Sequence, residues 1–130
     1  MRFLAHTYSS LATVVLIAAF SSAHAQTPAD AGQIAFNNAC RTCHSIREGD
    51  NRLGPSLHGI VGKKAGTVSG YDSSPAMRQS GVVWTEENLD SFIADPESVV
   101  HGNAMKPYGG LASEDERQKI IGYLKSAGGN

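Results

Sequence analysis

Apolar residues along this chain fall into short stripes separated by long polar and glycine-rich stretches. The clearest stripe is Ile120, Ile121, Tyr123 and Leu124, whose spacing puts them on one side of a helix. Ser113 and Glu116 are spaced as a capping box ahead of it, acidic residues fill its first turn, Lys125 lies in its last, and Gly128 follows as a terminator. Thr85 predicts the cap of an earlier helix, with Glu86 and Glu87 in the first turn and Leu89, Phe92 and Ile93 along one side. The Asp95-Pro96 pair stops that helix, and Asp95 then caps a short turn through Val100. Pro28 and Asp30 suit a helix start, and Gln33 to Ala39 reads as helical with Ile34 and Phe36 available to pack. A short helix is predicted from Pro75 to Gln79, ended by Gly81, and Val82 to Trp84 forms a brief extended link.

No strand-helix alternation is visible, so the pattern predicts an all-α domain of about four to five helices. From Ser45 to Ser74 glycines and prolines are frequent and helical spacing is absent, which predicts one long loop. Loops of that length in a small domain tend to be functional or to wrap something.

The first segment stands apart. Arg2 and His6 lie in a short polar start, Leu11 to Phe20 is mostly apolar, and Ala23 and Ala25 supply a small-x-small end. This is the pattern of a secretory signal, residues 1–25, cut between Ala25 and Gln26, leaving a single domain over 26–130 in the periplasm. The apolar run is short for a membrane span, and the alternative is an uncut anchor.

Composition narrows the function. A chain of 130 residues, 41% hydrophobic and 18% charged, suits one small globular domain, and its net charge of −1 excludes the basic balance of a nucleic-acid binder. A domain this small often needs a disulfide, metal or cofactor to stabilise it.

The two cysteines, Cys40 and Cys43, are followed at once by His44. Cys-x-x-Cys alone fits a disulfide, a redox dithiol or half of a zinc site. No second cysteine pair completes a zinc site, and a thioredoxin-like dithiol lacks its α/β context and leaves His44 unexplained. Cys-x-x-Cys-His is the attachment signature of c-type haem: two thioethers hold one edge of the porphyrin, and the next residue places an imidazole under the iron. An exported chain agrees, since haem consumes two thiols that would otherwise form a disulfide. Candidates for the second axial position are Met77, Met105, His58 and His101.

With these residues in view, the chain resembles the class I cytochromes c, mitochondrial-like and bacterial soluble forms, over nearly all of the mature chain, from Gly32 to about Ala127. "CRTCH", "GPSLHGIVG", "GYDSSPAM", "GVVWTEENLDSFIADP" and "GNAMKPYGG" occur in the family's order. The resemblance implies one covalently attached haem c per chain, with Met105 as second ligand and Met77 packing over the haem's lower edge. It implies that the Pro55 carbonyl accepts the Nδ1 proton of His44. Tyr71 and Trp84 are implied as hydrogen-bond donors to a haem propionate, with Ser73 and Lys63 beside them. Gly32 and Phe36 correspond to the contact of the first helix with Tyr123 and Leu124 of the last. The chain departs from the common pattern with Ala104 before the methionine, where lysine is frequent, with Lys63 where arginine is usual, and with one extra residue in "MKPY".

The function implied is one-electron transport, with the iron cycling between Fe(III) and Fe(II) and no enzymatic site. Alternatives are a haem-based ligand sensor or peroxidase-like protein with a labile sixth ligand, and a lower-potential carrier ligated by His44 and His101. Implied partners are membrane or periplasmic redox complexes: a quinol-cytochrome c oxidoreductase, a terminal oxidase, a reaction centre or a dehydrogenase. Arg41, Arg47, Arg52, Lys64 and Lys106 are candidates for a basic rim that steers a monomer toward them.

Overall fold

A computed structural model describes residues 27–128; the expected signal segment, 1–25, lies outside the described residues. Five helices follow in order: α1 (Pro28–Ala39), α2 (Pro75–Gln79), α3 (Glu86–Ala94), α4 (Pro96–Val99) and α5 (Glu114–Ala127). The described residues form no extended sheet, only one isolated antiparallel bridge between Lys64 and Val83. The domain is therefore all-α, as its sequence pattern implies.

Each helix begins where a side-chain oxygen can satisfy an orphan N–H. Thr27 and Asp30 close a capping box on α1, and Thr85 and Asn88 close one on α3. Asp95 ends α3 and caps α4, accepting from the N–H groups of Glu97 and Ser98. Ser113 caps α5 by accepting the Glu116 N–H at 3.3 Å. Only that half of the expected box forms among the described residues, because exposed Glu116 stays in solvent.

Helices α1 and α5 cross at Gly32. A Cβ there would lie 2.6 Å from the Lys119 carbonyl oxygen and 2.8 Å from the Tyr123 Cβ, so the backbones approach only because the side chain is missing. One turn on, the rings of Phe36 and Tyr123 meet at 5.6 Å between centroids, tilted by 52°. Ile120, Ile121 and Leu124 of α5 are fully buried and join Leu89, Phe92 and Ile93 of α3 in one core. Arg117 on α5 ties this pair further: its Nε donates to Asp90 of α3 at 2.9 Å, and its Nη1 reaches the Leu111 and Ala112 carbonyls.

The long loop is structured without being helical. The Gly62 N–H donates to the Trp84 carbonyl at 2.7 Å, Ala65 to Val82 at 2.8 Å and Trp84 to Lys63 at 2.9 Å. The short Val82–Trp84 link thus anchors the far side of the loop. Asn51 clamps its near side, donating to the Ser69 carbonyl while accepting the Ser56 N–H.

Candidate haem site

The site grows from the end of α1. The Cys40 N–H closes the helix on the Phe36 carbonyl, and the chain keeps turning: the N–H groups of Cys43 and His44 both donate to the Cys40 carbonyl, at 3.1 and 2.9 Å. That turn puts both thiols and the imidazole on the wall of one cavity of about 530 Å3. Both cysteines are free and half-buried. Burial, with the neighbouring Cys43 as a smaller cause, pushes the Cys40 thiol up to about 11. A redox dithiol relies on the opposite shift. Among the described residues no group of three or more His, Cys, Asp or Glu side chains gathers, so the pair is not completed as a zinc site.

His44 is buried, and its Nδ1 lies 2.8 Å from the Pro55 carbonyl oxygen. A carbonyl can only accept, so Nδ1 carries the proton and Nε2 keeps its lone pair, the form a metal requires. Burial lowers the pKa of the imidazole while the Pro55 bond works the other way, so the ring favours its neutral state. Gly54 covers the ring: a Cβ at that position would sit 2.7 Å from Nδ1. The Gly54 N–H donates to the Cys43 carbonyl at 2.8 Å, which locks the loop onto the attachment turn.

Of the four candidates for the second ligand, Met77 and Met105 line the cavity, whereas His58 and His101 do not. His101 is 94% exposed and pairs with Glu97 at 2.9 Å, away from the site. The pair His44 and His101 is thus not brought together. Met105 lies in the segment between α4 and α5, where its N–H donates to the Asn103 side chain at 2.9 Å. Met77 is held on α2, its N–H capped by Ser74 at 3.2 Å.

The residues expected near the propionates divide. Trp84 is buried at 5% exposure on the cavity wall, packed against Phe92 at 4.8 Å, and its indole N–H takes no partner among the described hydrogen bonds. Ser73 is buried on the same wall, and its carbonyl receives the Arg78 guanidinium. Tyr71 also lines the cavity, with its hydroxyl donating to the Leu53 carbonyl at 2.8 Å. Lys63 does not line it: its ammonium donates to the His58 carbonyl at 2.8 Å, and Lys64 stands on the wall instead. Adjacent lysines point apart here because the Lys64–Val83 bridge extends the backbone.

Three wall or support residues were given no individual role from the sequence. Tyr108 donates to the Ile93 carbonyl at 2.8 Å, and burial pushes its phenol up to about 12. Gly54 acts only through the absence of a side chain. Asn103, buried beside Met105, lies outside any regular helix, so no periodicity marks it.

The donor set fits a covalently held haem. Two thiols and a neutral imidazole share one wall, a thioether comes from another segment, and the remaining lining is dominated by apolar residues such as Leu57, Ile60, Leu89, Phe92 and Ile120. Trp84 stands on the cavity wall with its indole N–H free of protein partners among the described residues, the kind of donor a buried carboxylate needs.

Residues 27–124 match the model of the family described as cytochrome C oxidase, cbb3-type, subunit III. Cytochrome c2 iso-2 of Magnetospirillum molischianum is 44% identical over 87 residues, covering 67% of this chain and 89% of that protein. The chain belongs to the cytochrome c family. Cytochrome c type-1 of Ascaris suum, another member, is 38% identical over 96 residues, spanning 74% of this chain and 85% of its own. Among solved structures, cytochrome cH from Methylobacterium extorquens aligns with a TM-score of 0.69 at 38% identity, over 75% of this chain and 97% of that one. Membership of the cytochrome c family means that Cys40, Cys43 and His44 form the attachment motif of a covalent haem c and that the protein is an electron carrier. These relatives do not favour the sensor or peroxidase-like alternative.

Proposed function

We propose that this cytochrome c is a one-electron carrier of a periplasmic electron-transport chain, with His44 and Met105 as the axial ligands of its haem iron. The observation that carries the reading is that His44 and Met105 wall the same apolar cavity, which His58 and His101 do not reach; Met77 lines it as well, and the resemblance to the class I cytochromes c is what favours Met105 over it. Bound haem supplies the Fe(III)/Fe(II) couple.

The chain's own residues define the rest. Pro55 fixes the His44 proton on Nδ1 and so presents Nε2 as a σ donor in one orientation. Met105 supplies a soft thioether, which favours reduced iron and raises the potential relative to a second nitrogen ligand. With His44 and Met105 both holding the iron, no coordination position would be left open to a substrate, as suits a carrier. Ile60, Leu89, Phe92 and Ile120 keep water from the interior. Trp84 and Ser73 hold donors for propionate oxygens, and Tyr71 stands beside them.

The periplasmic setting rests on the signal pattern of residues 1–25. Among the described residues no helix is long and apolar enough to cross a membrane. Arg41, Arg47, Arg52, Lys64 and Lys106 are all exposed, Arg52 paired with Asp50 and Lys106 with Glu97, and a basic rim drawn from them would favour encounter of a monomer with acidic faces. A quinol-cytochrome c oxidoreductase, terminal oxidase, reaction centre or dehydrogenase offers the chemistry such a carrier serves.

The test is the near-infrared spectrum of the oxidised protein before and after Met105→Leu. A methionine-to-iron charge-transfer band that disappears on substitution supports the ligation, and a band that survives transfers the role to Met77. No band in the unsubstituted protein defeats the His/Met reading.

A further inference from the structure

Glu97 occupies the second position of α4 and is partly buried, yet it takes no part in the cavity wall. Its carboxylate collects three donors and a histidine ring nitrogen from one short segment. Oε1 accepts from the Gly102 N–H at 2.9 Å and faces the His101 Nδ1 at 2.9 Å. Oε2 accepts from the Asn103 side-chain amide at 2.9 Å and from the Lys106 ammonium at 3.1 Å. The Gly102 N–H, and then Lys106, hold the Glu97 carboxyl below the usual glutamate range.

Asn103 carries this clamp inward. It is buried, and its amide N–H groups go to Glu97 and to the Val100 carbonyl at 3.0 Å, while its oxygen accepts the Met105 N–H at 2.9 Å. Only one orientation of the amide satisfies all three partners, because two of them accept and one donates. The carboxylate therefore grips the chain on both sides of Met105, at 101 to 103 and at 106, and reaches the Met105 backbone through one buried amide. Charge-assisted bonds of this kind are the stronger class and are costly to leave half made. Segments without regular structure have little else to hold them.

We propose that Glu97 is the positioning residue for the sixth ligand: through Asn103 it fixes the backbone of Met105 and sets how readily an external ligand replaces the thioether. This rests on the reading of Met105 as axial ligand. Ala104, beside Met105, is exposed and adds no anchoring side chain, so the clamp acts from outside the ligand loop.

The experiment is a titration of the oxidised holoprotein with imidazole, followed by loss of the near-infrared band, in the unsubstituted protein and in Glu97→Ala, Glu97→Gln and Asn103→Ala. Asp115→Asn, which disturbs another surface ion pair, is the control. Loss of the clamp is expected to tighten imidazole binding roughly tenfold in Glu97→Ala, the scale of one charge-assisted bond. Asn103→Ala should match it, the double substitution should add little to either single one, and Glu97→Gln should fall between. Far-ultraviolet dichroism should remain that of the unsubstituted protein, which separates positioning from general loss of structure. If Glu97→Ala does not mature, Glu97→Gln and Asn103→Ala decide by the same readout. Imidazole affinities within twofold of the unsubstituted protein, with its band intact, overturn the inference while leaving the ligation standing. Absence of the band from the unsubstituted protein overturns the ligation itself, and the inference with it.

Discussion

The Nδ1 of His44 lies 2.8 Å from the carbonyl oxygen of Pro55, eleven residues further along the chain, and Gly54, the residue before Pro55, lies against the same ring. A main-chain acceptor cannot be removed by substitution, but its neighbour can be made to push the ring away. Gly54→Ala places a methyl group 2.7 Å from Nδ1 and 2.8 Å from Nε2. The expected result is a rotated or displaced imidazole, seen as a shifted Soret band and a lower yield of mature holoprotein. A variant with the unsubstituted spectrum and yield would contradict the cover assigned to Gly54.

The α1–α5 crossing makes a separate prediction about stability. Gly32→Ala inserts a methyl group against the Lys119 carbonyl and the Tyr123 Cβ, neither of which is the free end of a flexible chain. Overpacking of this kind costs about 1–3 kcal/mol. Denaturant unfolding should show a lowered midpoint with an unchanged slope, and an unchanged midpoint would mean the helices can move apart without cost.

How much of this was legible in the sequence depended on the kind of signal. Helix starts were readable because Thr85, Asp95 and Ser113 announce themselves chemically, and all three cap the helices that follow, whereas Thr27, the cap of the first helix, was passed over for Pro28 and Asp30. Cys40, Cys43 and His44 were readable because their spacing is itself the geometry. Lys63 and Lys64 were not separable, since which of two neighbours faces a cavity depends on the Lys64–Val83 bridge formed at long range. The Glu97–Asn103 clamp was also hidden, because its members sit at intervals set by a turn and not by a helical period. Glycines that permit contact, such as Gly54, look in sequence like glycines that merely turn the chain.

Tyr108 gives the fold a pH signature. Burial is the main cause that moves its phenol from 10.0 to about 12, and its hydroxyl donates to the Ile93 carbonyl. The folded state thus keeps a proton that the unfolded chain releases first. Its contribution is complete below about 10 and is lost as pH rises toward about 12. Stability measured across that interval should fall in the unsubstituted protein and fall less steeply in Tyr108→Phe. Equal slopes would show that the phenol titrates as it does in the unfolded chain.

Trp84 tests the propionate side of the cavity. Its ring is buried on the cavity wall and its indole N–H has no protein partner among the described residues, so Trp84→Phe keeps most of the ring contact with Phe92 and removes the donor. Weakening a hydrogen bond to a charged group costs about 1.5–3 kcal/mol. Holoprotein stability should drop on that scale, and the pH dependence of the midpoint potential should shift as the propionate loses its donor. A loss no larger than a packing change, with the potential's pH profile unmoved, would make Trp84 a core side chain alone.

The central claim is that the two axial positions are filled by an imidazole from the attachment turn and a thioether from the segment before the last helix. The most direct measurement is the midpoint potential of the holoprotein beside Met105→Leu and Met77→Leu under one set of conditions. Replacing the thioether at Met105 should lower the potential markedly, while Met77→Leu leaves it near its original value. An unmoved potential in Met105→Leu, or a fall confined to Met77→Leu, would contradict the account.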